Sequence, residues 1–434
     1  MTAPELEVEA VRPRRQRAYL GAAVAVTLPG VVLRVSGGHL DHLVEAVMFG
    51  VAIVGAAFLL SWAAETAQLD ISAGLALAVL ALIAVLPEYA VDLVFAGKAG
   101  TAVAHHGAAC LAPGSPDESP CSLALANMTG ANRLLIGVGW SMVVGLAWLG
   151  WRRRGQRITE VVLDESHSVE LAFLALATVY SLTLPLKRTV TLLDAVILIG
   201  LFAAYVVRIS RMPSAEPQLV GPALYLGSWR PTARRLAVLT MFVGAAAVIL
   251  LCAERFAESL VATGSEFGVS EFLLVQWLAP LASEAPELLI AGLYAWRLNS
   301  NAGLGTLVSA KVNQWTLLVG TLPLVFAIAS GSAHGLPIDS VQREELLLTA
   351  SQSVFAVSIL ANRAISAREA IALFALFWAQ FVIGAFVPES AHGIERVLVS
   401  GVYLGLGSAV LLRDRGRIAT LVREGLTMAP GGTR

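Results

Sequence analysis

The sequence predicts an all-α polytopic membrane protein, built as two inverted-topology five-helix repeats with one extra helix at each end. Three observations predict it: a composition too apolar for water, a one-sided distribution of Lys and Arg, and a Pro-Glu motif that occurs twice at matching places.

Of the 434 residues, 57% are hydrophobic and 14% charged, and the mean hydropathy is +0.73. An ordinary soluble domain has roughly 45–50% apolar and about 25% charged residues. So few charges cannot coat a water-soluble fold, which excludes a soluble enzyme. A net charge of -1 excludes a nucleic-acid binder, which needs a basic face. A bilayer-crossing helix takes about 20 mostly apolar residues. Apolar runs fall near 18–35, 42–65, 72–97, 122–149, 168–186, 190–209, 235–258, 270–296, 303–330, 344–362, 367–387 and 395–413. They are rich in Leu, Val, Ala and Gly and lack the polar alternation of outer-membrane strands, so they read as helices rather than a barrel.

Most of the 30 basic residues then lie on one side. They are the N-terminal Arg12, Arg14, Arg15 and Arg17; Arg152, Arg153, Arg154 and Arg157 after span four; and Arg208, Arg211, Arg230, Arg234 and Arg235 after span six. Arg297, Arg363 and Arg368 follow spans eight and ten, and Arg413, Arg415, Arg417, Arg423 and Arg434 close the chain. The positive-inside rule gives twelve spans in the cell membrane with both termini cytoplasmic. Residues 1–17 read as a disordered cytoplasmic tail, 18–41 as an extra N-terminal helix, 42–209 as the first repeat half, and 210–234 as a cytoplasmic linker. Residues 235–387 read as the second half, and 388–434 as an extra helix with a cytoplasmic tail.

The repeat is visible in short stretches. Leu59-Leu60-Ser61, Ile71-Ser72 and Leu86-Pro87-Glu88-Tyr89 match Leu250-Leu251-Cys252, Val269-Ser270 and Ala285-Pro286-Glu287-Leu288. In the following span, Asn127 to Arg133 pairs with Thr306 to Val312 without gaps, setting Asn132 opposite Lys311. Spans two to six and seven to eleven are then two units of five. Because five is odd, the second unit enters from the opposite side, as in many secondary transporters.

Glu88 and Glu287 fall mid-span, where an ionisable side chain costs at least about 2.5–3.5 kcal/mol. Pro87 removes the helix bond to the Ile83 carbonyl, and Pro286 removes the one to Ala282. A freed carbonyl beside a carboxylate is a hard-oxygen cage for Ca2+ or Na+. Proline kinks are common in membrane helices, and one glutamate can serve packing alone; two at matching positions point to a shared midplane cation site.

The two Pro-Glu helices, each followed by a Gly/Ser-Ala-Asn/Lys helix, resemble the alpha repeats of the sodium/calcium exchanger family within the Ca2+/cation antiporters. The resemblance covers roughly residues 42–387. It implies that Glu88 and Glu287 are the principal cation ligands, with hydroxyls, backbone carbonyls and amide or acidic side chains around them. The motif positions carry Glu88, Glu287, Ser283, Asn132 and Gln314 into the ligand set; Glu284, a departure that adds a carboxylate one turn from Glu287, Asn313 beside Gln314, and Asp92, one turn beyond Glu88 on the same face, are further candidates. The chain departs from the family pattern at Ala84-Val85, where two hydroxyls are replaced, at Leu135, and at Arg133 and Lys311. These two bases are expected to pair with Glu88, Asp92, Glu284 and Glu287. Lys311 is the better candidate to stand where a cation binds and to release a proton as metal enters; a permanent salt bridge or snorkelling is the alternative.

Cys110 and Cys121 bracket a Pro-rich loop on the predicted outer side, where a disulfide is expected. His105-His106 read as solvated, and Trp62, Trp140, Trp151 and Trp229 as interface anchors. No nucleotide, protease or hydrolase motif is present in the sequence, so neither an enzyme nor a cofactor is expected. The expected partners are inorganic cations and the lipid bilayer. Three readings stay open: Ca2+ exchange driven by Na+ or H+, a monovalent cation/proton antiporter, and a receptor or scaffold whose inner charges are structural.

Overall fold

The computed structural model describes residues 13–70, 86–107, 110, 119–156, 158–212, 219, 221–268, 271–388 and 391–427. The expected first part of span three, with Ile71, Ser72, Ile83, Ala84 and Val85, lies outside them, as do Val269 and Ser270.

A helix occupies each expected span position. They are α1 (Pro13–Ser36), α2 (His42–Ala67), α3 (Leu86–His106), α4 (Pro120–Arg153), α5 (Ser168–Ser181) and α6 (Leu192–Ile209). After α7 (Gly221–Gly227) come α8 (Pro231–Phe267), α9 (Glu271–Trp296), α10 (Ser300–Ser330), α11 (Ser340–Ile359), α12 (Ala367–Phe386), α13 (His392–Arg413) and α14 (Arg415–Thr427). Among the described residues, nine helical segments are long and apolar enough to cross a membrane. One expectation is corrected: the chain is already helical from Pro13 rather than irregular to residue 17. The linker segment contains α7, and the segment after α13 folds as α14.

Local chemistry sets the helix ends. Asp41 caps α2, Ser119 caps α4 with Pro120 in its first turn, Asn299 caps α10, and Asp339 caps α11. Thr191 with Asp194 and Ser366 with Glu369 form reciprocal capping boxes at α6 and α12. Gly268 and Gly331, both at positive φ, end α8 and α10. In each of α4 and α10 the backbone widens into one π turn, at Leu135–Trp140 and Gln314–Leu318. By the sequence repeat, Leu135 and Gln314 are matching positions.

The bundle is apolar outside as well as inside. Leu236, Leu239, Val243 and Leu250 of α8 and Leu398 of α13 are exposed, which suits lipid and not water. Trp140, expected at an interface, is instead fully buried; it lies in the π turn against the bundle interior. In lipid the helices gain little from burying apolar surface against one another, so close packing carries more of the load. α2 packs on α8, α3 on α10, and α4 on α9. The α4–α9 crossing is so tight that a Cβ at Gly130 would overlap the backbone carbonyl of Gln276.

Two small antiparallel sheets tie the loops together, and no hydropathy pattern foretold them. β1 (Glu160–Val162) pairs with β4 (Ala364–Ser366), and β2 (Thr189–Val190) pairs with β3 (Leu336–Pro337). The loop between α4 and α5 thus joins the one between α11 and α12, and the α5–α6 loop joins the α10–α11 loop. Cys110 and Cys121 form a disulfide between the end of α3 and the start of α4. His105 and His106 are exposed beside it.

Just past α2, Asp70 accepts hydrogen bonds from Arg234 Nε at 2.7 Å and Nη2 at 2.8 Å, and from Arg235 Nε at 3.0 Å. This clamps α2 to the first turn of α8. The Arg234 guanidinium, helped by Arg235 and opposed by burial, holds the Asp70 carboxyl at about 2, below its ordinary 3.8. A lowered folded-state value means the clamp stabilises fully above the unfolded value and fades as pH falls toward the folded one. Asp70→Asn should therefore cost about 1 kcal/mol at neutral pH, read as a lower Tm in detergent, with the difference from wild type shrinking only below about pH 4. Equal Tm values at pH 7 would contradict the clamp. Gly130→Ala should cost about 1–3 kcal/mol, because a backbone carbonyl cannot yield. Gly244→Ala, where a Cβ meets nothing within 4 Å, should be neutral in the same thermal assay.

Candidate functional site

The site forms where α3, α4, α9 and α10 meet in the middle of the bundle. Glu88 and Asp92 lie one turn apart on α3, and both are buried. Glu284 projects from α9 and is buried; Glu287, one turn later, is half-buried. Pro286 does not break α9, which continues unbroken to Trp296. The expected broken helix is therefore replaced by a continuous one, as membrane helices permit when the freed backbone group finds another partner.

Gln314 joins the two acidic helices. Its Nε2 donates to Glu284 Oε1 at 2.7 Å and to Glu88 Oε2 at 3.4 Å, so one amide group bridges the two carboxyls. The cross-helix contact thus runs from Glu88 to Glu284, with Glu287 beyond Glu284. Asp92 Oδ1 accepts from Asn127 Nδ2 at 2.7 Å. Tyr89 donates to Asn313 Oδ1 at 3.5 Å. The Ser283 hydroxyl donates to the Ala279 and Pro280 carbonyls, at 3.2 and 3.3 Å.

Acceptors outnumber donors here. Glu88 Oε1, Asp92 Oδ2, Glu284 Oε2, Glu287 Oε2 and Gln314 Oε1 are buried atoms with no hydrogen-bond partner among the described residues. Buried polar groups left in this state need a proton, a water or an ion. The described residues contain no ready-made cluster of three acidic, His or Cys side chains that could hold a metal.

The two bases go separate ways. Lys311 is fully buried, and its Nζ donates to the Asn132 backbone carbonyl at 2.7 Å and to Asn132 Oδ1 at 2.6 Å. It also lies 5.3 Å from the centre of the Trp315 ring. Asn132 in turn donates to the Met128 carbonyl at 2.9 Å. The two residues matched by the sequence repeat therefore touch. Arg133 is not a partner of the central carboxylates, which corrects the expectation. It pairs with Glu345 of α11 at 2.7 Å and with Gln380 of α12. Successive helix residues point about 100° apart, so when Asn132 faces Lys311, Arg133 must face another neighbour. Glu345 lies at the start of the apolar run 344–362 and no motif marks it; the need of a buried guanidinium for an acid is the one signal that points to a partner like it.

Two comparisons bear on this arrangement. A profile of the family described as sodium/calcium exchanger protein matches residues 42–211 and 237–386. The crystal structure of the H+/Ca2+ exchanger CAX superposes with a TM-score of 0.85 at 40% identity, covering 95% of this chain and 98% of that one. The structure of native YfkE superposes at 0.57 with 14% identity, covering 90% and 99%, and so supports the fold alone. No curated protein matches the sequence. With most of its length matched by the family profile, this multi-pass membrane protein belongs to the sodium/calcium exchanger family of cation antiporters.

Proposed function

We propose that the protein exchanges Ca2+ for H+ across the cell membrane by alternating access, with Glu88, Glu284 and Glu287 as the acidic ligands. The observation that carries this is the surplus of buried acceptor oxygens around the Glu88–Gln314–Glu284 bridge. Two carboxyls this close in a buried site require either a shared proton or a cation between them. Protons and a dication are then competing occupants of one site, which is the minimal chemistry of an antiporter. Asp92, Ser283, Asn313 and Gln314 would complete the oxygen set. The likeness to a chain titled an H+/Ca2+ exchanger favours H+ over Na+ as the counter-ion.

Lys311 would be the charge-compensating group. Its ammonium already fills a pocket of two Asn132 oxygens and one aromatic face, a cation's environment. Ca2+ entry beside it would favour the loss of its proton.

The architecture we propose is twelve spans with both termini cytoplasmic and two inverted halves, α2–α6 and α8–α12. Reciprocal pairing supports it. The second helix of each half packs on the third of the other, and the paired loops are likewise exchanged between halves. Matching π turns and the Asn132–Lys311 contact fit a pseudo-two-fold axis near these two residues.

In proteoliposomes an outward-to-inward Ca2+ flux should follow an imposed pH gradient and ignore a Na+ gradient. Glu88→Gln and Glu284→Gln should each lower that flux at least about tenfold with folding retained. Flux driven only by Na+ would replace the proton reading, and no flux of any cation would favour a non-transporting membrane protein. Lys311→Gln should flatten the dependence of flux on pH; an unchanged pH profile would remove Lys311 from the exchange.

A further inference from the structure

We propose that the buried Arg133–Glu345 ion pair is a positioning device for the Lys311 cradle, and that α13 is wired into that device through Arg396. The inference rests on the exchange reading above and adds to it residues that no sequence motif marks. It also involves a helix beyond the family-matched segments, which end at residue 386.

The connection can be followed atom by atom. Arg133 directly follows Asn132, whose carbonyl and side chain hold the Lys311 ammonium. The Arg133 guanidinium gives one hydrogen bond to Glu345 Oε2 at 2.7 Å and another to Gln380, and lies 5.0 Å from the centre of the Trp277 ring. The second oxygen of Glu345 is taken by Arg396 Nε at 2.8 Å, and Arg396 also reaches Glu344 at 3.0 Å. Both carboxylate oxygens of Glu345 are therefore fixed by guanidinium groups, one from α4 and one from α13. The side chains of Arg133 and Glu345 are each 3% exposed, against 13% for Arg396. The chain of charges thus runs from the interior outward.

α11 grips the opposite wall of the cradle too. Trp315, whose ring faces the Lys311 ammonium, donates from Nε1 to Ser353 Oγ at 2.8 Å, and Gln352 donates to the Arg133 carbonyl at 3.5 Å. One helix therefore sets both Asn132 and Trp315. A buried guanidinium deprived of its anion cannot stay where it is, and any shift of Arg133 moves the Asn132 carbonyl next to it. Other polar groups facing the pair are Glu395 in the first turn of α13, whose Oε1 has no partner among the described residues, and Tyr403. Neither is a hydrogen-bond or ion-pair partner of Arg133, which pairs with Glu345 and Gln380.

The full chain in proteoliposomes tests this with Glu345→Gln, Glu345→Asp and Arg396→Gln, with flux expressed per folded molecule. Glu345→Gln should raise the Ca2+ concentration for half-maximal flux about tenfold, as loss of a supporting hydrogen-bond partner does at metal sites, and should displace the pH midpoint. Glu345→Asp should restore most of both. Arg396→Gln should move both readouts the same way by a smaller factor, about threefold. A Glu345→Gln protein with wild-type half-saturation and pH midpoint would overturn the proposal. If that variant does not fold, Arg396→Gln decides alone, and wild-type behaviour there overturns it. A silent wild type would instead overturn the exchange reading, so the two failures are distinct.

Discussion

Acidic groups sunk in an apolar bundle impose the constraint on which the rest of this molecule depends. Glu88, Asp92, Glu284 and Glu287 bring more acceptor atoms to the centre than the surrounding helices bring donors. Such an excess is tolerable only if something positively charged comes and goes, or if protons sit on the carboxyls. Gln314 supplies a neutral amide between two of them, and the Lys311 amine lies one turn before it on the same helix. The helices around the centre are correspondingly tight. Gly130 lets α4 and α9 come into backbone contact, and α11 is packed on nearly all sides.

The outer layers of the structure hold that centre in place without contributing charge to it. The Asp70 clamp fastens α2 to α8 at one end of the bundle, and the paired loops fasten the two sets of helices together. Small strands between loops are economical here, because they satisfy backbone groups where the helices stop. The Arg133–Glu345–Arg396 series does the same in the interior and keeps a strong base away from the carboxylates. An arginine beside Glu88 would neutralise it permanently and compete with any incoming cation.

The positions of the helices were legible in the sequence because a run of about 20 apolar residues has few other uses. The acidic pairs were legible because Pro87-Glu88 and Pro286-Glu287 recur at matching positions of two repeated segments. What pairs with what was less legible. Glu284 meets Gln314 and Glu88 because of the angle at which α9 crosses α10, which residue spacing does not encode. Arg133 turned to Glu345 because it follows Asn132 by one residue, and helix geometry sends the two side chains to different neighbours. Pro286 sits in an unbroken helix, since the bundle around it can absorb the missing hydrogen bond. The strands at residues 160–162 and 364–366 are too short to carry a period, and α14 lies in a charged segment that no apolar run marks.

Competition between protons and a dication for the same buried oxygens is the central claim, and counting protons released on binding tests it most directly. Ca2+ added to the purified protein in weakly buffered detergent solution should release protons in proportion to Ca2+ bound, and Glu88→Gln should reduce both together. Ca2+ binding without any proton release would contradict the account.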